Sequence, residues 1–360
     1  MPQCDDVTGA SAVRPLRANA VPGMPVTAAD AVQAAAGYFP SGLIGPPGLA
    51  RVLAVAREFP VPAAFGFELR LGAAAAAADF FLAYTRGQEE SRVLAGLHPR
   101  IDLSGRLRSH PAWQGPRTLL REWLAQENGP WETVRSMTFE FDTSAGFPGG
   151  CAPSVFFSMQ GVADRLGVVR ALAAGSGAER ISLGGLERVF RLPIAAERLF
   201  QVGAMLARPS AGLRLCFALD HPETVTEFLS GIGWRGSLAG VGSLLKRVAA
   251  WGTPMALDID VGAEIGPRVG IECFVPVASL EGTSSAWRGL LDRLAAAGLC
   301  LPRERDALQG WFGGHRATLL WLRTYVRRPS HVKLVYQDGR PLHAKAYVGV
   351  WEAASCTAQG

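Results

Sequence analysis

Cysteines are few in this chain of 360 residues, and no two of the six lie close together. Their wide spacing and the absence of any C-x-x-C pair argue against a zinc site or a disulfide framework. Those that lie in or beside apolar runs are expected to be buried, reduced thiols. The six are Cys4, Cys151, Cys216, Cys273, Cys300 and Cys356.

Long apolar runs are also missing. No run reaches the length of a membrane span, and residues 1–15 carry early acids without the apolar centre of a signal peptide. We therefore expect a cytoplasmic protein without a membrane partner. Residues 1–25, rich in Pro, Ala, Gly and Ser, predict a loose tail.

Charge is sparse, at 19% of the residues, and the net charge of +5 is spread along the chain. No nucleic-acid-binding motif is present, so no nucleic-acid partner is expected. The glycine-rich segments lack the order of a P-loop or a dinucleotide fingerprint, and no G-x-S-x-G elbow or D-D-x-x-D helix occurs. These absences predict no resident cofactor and no metal site, although Mg²⁺ stays possible.

What the chain does contain is a large apolar fraction, 49%, and alternating segments typical of half-buried strands. In "FGFELRLG", residues 65–72, Phe and Leu alternate with Gly, Glu and Arg. Upstream, Thr27 and Asp30 have the spacing of a capping box, and "LARVLAVAREF" predicts a second helix that ends before Pro60.

The predicted elements recur in the same order. Residues 60–175 hold a strand, the helix-like "AAADFFLAYT" and "RTLLREWLAQ", two more strands and a helix. Residues 208–298 repeat this order, and Trp123 and Trp251 lie near corresponding helix ends. We interpret this as an internal duplication. Residues 300–351 form a shorter unit, in which the helix-like "PRERDALQGWF" and "ATLLWLRTYV" precede a hairpin.

That hairpin, "HVKLVYQDGRPLHAKAYVGV" at residues 331–350, has two contrasting faces. A turn on Asp338-Gly339 with Lys333 opposite Tyr347 places Val332 and Leu334 on an apolar face. The opposite, cationic face collects His331, Lys333, His343, Lys345 and Tyr347.

Every predicted strand likewise has one apolar and one polar face. Helices that need a sheet to pack on will cover the apolar faces. Over residues 26–353 we predict one α+β domain, an internally duplicated antiparallel β-barrel or curved sheet of eight to ten strands, with helices on the outer face. An open sheet exposes the polar faces to solvent, and a closed barrel turns them into a lumen; both architectures stay open.

Inward Lys, Arg and Tyr on antiparallel strands, with helix pairs outside, resemble the barrel aromatic prenyltransferases of the ABBA fold. The resemblance covers roughly residues 60–350 in element order. It implies that an inner ring binds an isoprenyl diphosphate, and that Glu68 contacts an aromatic acceptor. The residues that match the diphosphate ring are Arg70, Arg214, Lys333, Lys345 and Tyr347. The chain departs from the family in its many inward acids and few inward tyrosines.

A second resemblance rests on two short sequence segments alone. "HVKLVYQDGRPLHAKAY" and "VGIECF" are similar to uncharacterised bacterial proteins found beside genes for ribosomally made, modified peptides. It implies a precursor peptide as a partner and no particular chemistry.

Each group of candidate residues also has a structural interpretation. The hairpin lysines could protect a strand edge, and Arg70 and Arg214 could pair with acids on neighbouring strands. Trp351 could stack on a ligand or pack at the rim. The acid pairs Glu140/Asp142 and Asp258/Asp260 could hold Mg²⁺, act as bases, or balance the inward cations.

Two functions follow from these patterns. One is a prenyltransferase-like enzyme of secondary metabolism that acts on an aromatic small molecule or peptide. The other is a non-catalytic peptide-binding accessory protein of a modified-peptide pathway. The first requires a closed, deep lumen walled by aromatic residues, and the second an open groove or a free strand edge.

Overall fold

The computed structural model describes most of the chain between Thr27 and Glu352. The described residues are 27–39, 42–72, 78–99, 107, 109–125, 129–143, 153–175, 183–206, 212–275, 280–311, 317–319 and 323–352. The predicted tail at residues 1–25 lies outside them.

The strands form one antiparallel sheet whose ends meet. β1 to β8 pair in chain order, β8 pairs with β10, β10 with β11, and β11 with β1, which closes a ten-stranded barrel. β9 pairs with the start of β10. The strands are β1 Ala64–Arg70, β2 Ala78–Thr85, β3 Ser136–Phe141, β4 Ser154–Ser158, β5 Leu199–Ala204, β6 Leu213–Phe217, β7 Met255–Val261, β8 Ile265–Phe274, β9 Ala317–Leu319, β10 Arg323–Tyr336 and β11 His343–Glu352.

The helices lie outside this barrel and pack on the apolar faces of its strands. Phe67 and Phe80, which point outward, contact one another, and Phe67 also contacts Phe39 and Trp311. The described α-helices are α1 Ala28–Ala35, α2 Pro46–Ala56, α3 Glu89–Ala95, α4 Gln114–Ala125, α5 Arg165–Gly175, α6 Leu183–Phe190, α7 Pro193–Arg198, α8 Pro222–Gly231, α9 Leu238–Ala249, α10 Leu280–Ala296 and α11 Pro302–Trp311.

These contacts confirm the α+β barrel and decide against the open sheet. Five hairpins, β1–β2, β3–β4, β5–β6, β7–β8 and β10–β11, follow one another around the barrel with helices between them. The predicted bounds of the duplicated copies stay a prediction.

At the start of α1 the Thr27 N–H donates to the Asp30 carboxylate at 2.8 Å, as the capping-box spacing predicts. None of the described helices combines the length and apolar character needed to span a membrane.

Two segments predicted as helices are strands. "AAADFFLAYT" contains β2, whose inward face carries Phe81 and Ala83, so the alternation of polar and apolar residues is lost. "ATLLWLRTYV" contains β9 and the start of β10. β5 has no alternating pattern in the sequence, because a bulge between Leu199 and Gln201 changes its phase.

The register of the β10–β11 hairpin also differs from the prediction. His331, not Lys333, lies opposite Tyr347, and Lys333 lies opposite Lys345. The connection between the strands runs from 337 to 342, longer than a turn on Asp338-Gly339 alone. Because the shift is two residues, each side chain keeps its predicted face.

Candidate functional site

The inward faces of the strands line a lumen with two different halves. Ionic side chains line the half formed by β6, β7, β8, β10, β11 and β1. The half formed by β2 to β5 carries mainly aromatic, hydroxyl and amide groups. The registers give the ionic residues as Glu68, Arg70, Arg214, Asp258, Asp260, Arg268, Glu272, Lys333 and Lys345, and the other half as Asp79, Phe81, Thr138, Glu140, Ser154, Phe156, Ser158 and Gln201.

Glu68 is the centre of the first ionic contact. Lys345 and the Tyr347 hydroxyl, both on the neighbouring β11, donate to its carboxylate. Burial alone would raise the pKa of Glu68, but the charges of Lys345 and Lys333 and these two hydrogen bonds hold it well below its usual value. Burial and the Glu68 charge raise the pKa of Tyr347, so its phenol keeps its proton.

Lys333 occupies the next position across the barrel wall. Its ammonium lies 3.1 Å from Asp258 Oδ2 and 2.9 Å from Glu272 Oε1. Burial would lower the pKa of Lys333, but the two carboxylates raise it well above its usual value. The ammonium also lies 5.3 Å from the centre of the Tyr347 ring, which links it to the Glu68 group.

Arg214 continues the same chain of charges. Its guanidinium lies 2.9 Å from Asp260 and 3.4 Å from Asp258, and Arg268 lies 2.8 Å from the same Asp260. Burial opposes ionisation of Asp260, but Arg214 and Arg268 lower its pKa to about 2. The interpretation that Arg214 pairs with strand acids therefore describes its observed contacts.

Arg70 is the most exposed of the predicted residues, with 44% of its side chain accessible. It lies 3.5 Å from Asp79, which is buried on β2. Burial, with the charges of Glu68 and Asp142, raises the pKa of Asp79 to about 7. Asp79 was not among the predicted inward acids, because β2 reads as a helix in the sequence.

An aromatic stack lies beside the ionic chain. The ring of His331 stacks on Tyr347, with centroids 4.2 Å apart and planes inclined by 16°, and Phe274 lies 5.0 Å away. Burial lowers the pKa of His331, so the imidazole is neutral at pH 7. His343 lies opposite Val335, away from Tyr347, so the two histidines do not meet across the hairpin.

Trp351 lies further along β11, opposite Ala64, the first residue of β1. The guanidinium of Arg328 lies 4.5 Å from the centre of its ring. A side chain on Gly349 would collide with this ring, so the indole lies along the barrel wall. Arg328 faces Gly349 in the register and was not among the predicted binding residues.

The structure thus brings Glu68, Lys333, Lys345 and Tyr347 together and joins Arg214 to them through Asp258. Arg70 and Trp351 lie to either side along the strands. Each buried cation of this group contacts at least one carboxylate. Among the residues that the structure describes, no three His, Cys, Asp or Glu side chains are grouped as metal ligands.

No protein-family model and no curated protein matches the chain. Solved structures do. NotF prenyltransferase matches with a TM-score of 0.50 and 13% identity over 89% of this chain and 91% of that chain. PriB prenyltransferase in its apo form matches at 0.49 and 12%, over 91% and 96%. A 6-dimethylallyltryptophan synthase from Micromonospora olivasterospora matches at 0.46 and 14%, over 88% and 90%.

The likeness to NotF, together with the closed barrel, decides the fold. The chain has the barrel fold of the ABBA-type aromatic prenyltransferases. The resemblance seen in the sequence is therefore confirmed as a likeness of fold. With an identity of 13%, residue roles must be argued from the lumen itself.

Proposed function

We propose that the protein is a transferase that moves an isoprenyl group from a diphosphate donor to an aromatic acceptor, a small molecule or a peptide side chain of secondary metabolism. One observation carries this proposal: a closed barrel encloses buried cations on one half of its lumen and aromatic rings on the other. A diphosphate needs the first half, and an allylic chain with its acceptor needs the second.

The donor diphosphate would lie against Lys333, Lys345, Arg214 and the Tyr347 hydroxyl. Because their carboxylate partners hold these groups in place, little rearrangement of the cations is required when an anion arrives. The diphosphate must, however, compete with Glu68, Asp258 and related acids for the same donors. Mg²⁺ bound to the diphosphate would reduce that competition by neutralising part of its charge and by offering the acids a cation.

In the reaction, the bond between the allylic carbon and the diphosphate oxygen breaks, and pyrophosphate leaves with the bonding electrons. A carbon of the acceptor ring forms the new bond to the allylic carbon and then loses its proton to a base. The rings of Phe81 and Phe156 in the second half, and those of Tyr347 and Trp351 on β11, would stabilise the allylic cation. The closed barrel would limit attack by water. Sequence resemblance assigns the acceptor contact to Glu68, which remains a prediction.

The peptide-binding alternative has less support. It requires an open groove or a free strand edge, whereas each of the ten barrel strands pairs on both sides. Among the described strands, a free edge is found on the three-residue β9.

A product-forming assay tests the proposal. The purified protein is incubated with dimethylallyl or geranyl diphosphate, Mg²⁺ and a panel of indoles, phenols and aromatic peptides, and products are identified by mass spectrometry. We expect an acceptor that gains one isoprenyl group, with release of pyrophosphate, and a large loss of product in Lys333→Ala. Lys246→Ala, which removes an exposed lysine on α9, is the control. Equal product from both variants would contradict the proposed donor site.

A further inference from the structure

Glu140 differs from the other acids at the centre of the lumen. Glu68, Asp258, Asp260 and Glu272 each contact a lysine or an arginine. For Glu140, no hydrogen bond or ion pair is found among the residues that the structure describes. Its side chain also stays partly open to the lumen, while Glu68, Asp258 and Glu272 are buried.

The side chains next to Glu140 lean away from it on both sides. In the register, Phe81 on β2 lies opposite Glu140, and Phe156 on β4 is a diagonal neighbour. A Cβ atom on Gly66 of β1 would collide with the tip of the Phe81 ring, and one on Gly203 of β5 would collide with the Phe156 ring. Each ring therefore lies over a glycine on the strand farther from β3.

The two rings and the carboxylate define a slot. Because Phe81 leans toward β1 and Phe156 toward β5, the inward face of β3 between them is left to Glu140 and Thr138. Ser154, opposite Glu140 on β4, is small and keeps that side open. The glycines are what allow this arrangement, because any larger residue there would push a ring back toward β3, Phe81 over Glu140 and Phe156 over Thr138.

The Glu140 carboxylate lacks a hydrogen-bond donor among the residues that the structure describes. Burial, and next the charge of Glu68, raise the pKa of Glu140 more than the charges of Arg214, Lys345 and Lys333 lower it, so these cations compensate the anion only in part. An N–H or O–H donor from a ligand would satisfy it, and a flat ring on that ligand would contact the two phenylalanines.

We propose that Phe81, Glu140 and Phe156 form a binding slot for a flat aromatic ligand whose N–H or O–H group donates to the Glu140 carboxylate. This rests on the proposed function in that the ligand is the acceptor, but its binding needs no donor diphosphate. The slot assigns the acceptor contact to Glu140, whereas the sequence resemblance assigns it to Glu68, whose carboxylate already accepts from Lys345 and Tyr347. The two assignments predict different results.

Calorimetric titration with indole and 1-methylindole, without a diphosphate, separates them. The two ligands share a flat ring, and only indole has the N–H donor. The wild-type protein should bind indole about tenfold or more tightly than 1-methylindole, since a hydrogen bond to a charged group is lost. Glu140→Leu should bring this ratio close to one. Glu68→Gln and the exposed Glu132→Leu should keep it.

A steric variant tests the slot without removing the acid. Gly203→Ala should force the Phe156 ring toward Thr138 of β3 and so narrow the slot. It should weaken indole and 1-methylindole by a similar factor, several-fold or more, with circular dichroism confirming that the variant is folded. The proposal is overturned if the wild-type protein binds neither ligand, if Glu140→Leu keeps the ratio, or if Glu68→Gln alone removes it. None of these results depends on isoprenyl transfer, so the product assay tests the proposed function separately.

Discussion

The ion pairs of the lumen hold several charged groups that are largely shielded from water. Glu68, Asp258, Glu272, Lys333 and Lys345 are all buried. Buried charges are tolerated only when each has a partner, because removing both from water costs several kcal/mol per ion. The carboxylates therefore have a structural role in addition to any chemistry, and single substitutions will expose it.

Lys345→Met is expected to destabilise the protein by about 3 kcal/mol or more, because it leaves the buried Glu68 carboxylate without its main cation. Urea unfolding measures the change. The double variant Glu68→Gln/Lys345→Met should recover part of the loss, since the uncompensated charge is then gone. A double variant less stable than Lys345→Met alone would contradict this account of the pair.

Asp79 should make the folded protein less stable as the pH rises, the opposite of a carboxylate in an ion pair. Its pKa is raised from 3.8 to about 7, so in this window the folded state keeps a proton that the unfolded chain has released. Its contribution is complete below about pH 4 and is lost as the pH rises through about 7.

Asp79→Asn removes this contribution. The free energy of unfolding should then fall less steeply between pH 4 and 7, by up to about 1.4 kcal/mol for each pH unit. Chemical unfolding at several pH values measures the slope, and the exposed Asp306→Asn is the matched control. Parallel curves for wild type and Asp79→Asn would show that the proton is not held at this carboxyl.

At the scale of single elements, alternation was a reliable guide where the two faces of a strand differ chemically. β1, β3, β7 and the β10–β11 hairpin follow the predicted faces. β2 was predicted as a helix because Ala83 and Phe81 face the lumen, so both of its faces look apolar. The register of the β10–β11 hairpin could not be predicted from the sequence, because a shift of two residues leaves every side chain on the same face. The register depends instead on the length of the connection between the two strands.

The alternation of polar and apolar residues does not explain the glycines on the inward faces of the strands. Gly66 of β1 lies where a side chain would collide with the Val348 carbonyl oxygen of β11 as well as with Phe81. The first of these is backbone and cannot move without disturbing the pair of strands that closes the barrel.

Gly66→Ala should therefore destabilise the protein by about 1 to 3 kcal/mol through overpacking. Thermal and urea unfolding measure this change. Gly289→Ala, in α10, is the matched control because its new methyl group meets no atom within 4 Å and should raise stability slightly. A Gly66→Ala protein as stable as the wild type would contradict the close approach of β1 and β11.

For the whole molecule, closure converts separate polar strand faces into one enclosed surface. The sequence identified most of the ionic half, including Glu68, Arg214, Lys333, Lys345 and Tyr347, because these stand out in alternating strands. It missed Asp79 and Phe81 on β2, and Gln201 and Gly203 on β5, because those strands were not recognised. The pairing of each cation with a particular acid depends on the order of strands around the barrel, which no local pattern contains.

The proposed function requires that the ionic half of the lumen bind the diphosphate and that the rest of the lumen bind the isoprenyl chain. Calorimetric titration of the protein with pyrophosphate, dimethylallyl diphosphate and geranyl diphosphate, with and without Mg²⁺, tests it most directly. We expect binding that strengthens with chain length, because more apolar surface is buried, and that strengthens with Mg²⁺. Lys333→Ala should weaken every ligand about tenfold or more, and Lys246→Ala should weaken none. Absence of binding to all three ligands, or equal binding by Lys333→Ala and wild type, would show that the ionic half is not a diphosphate site.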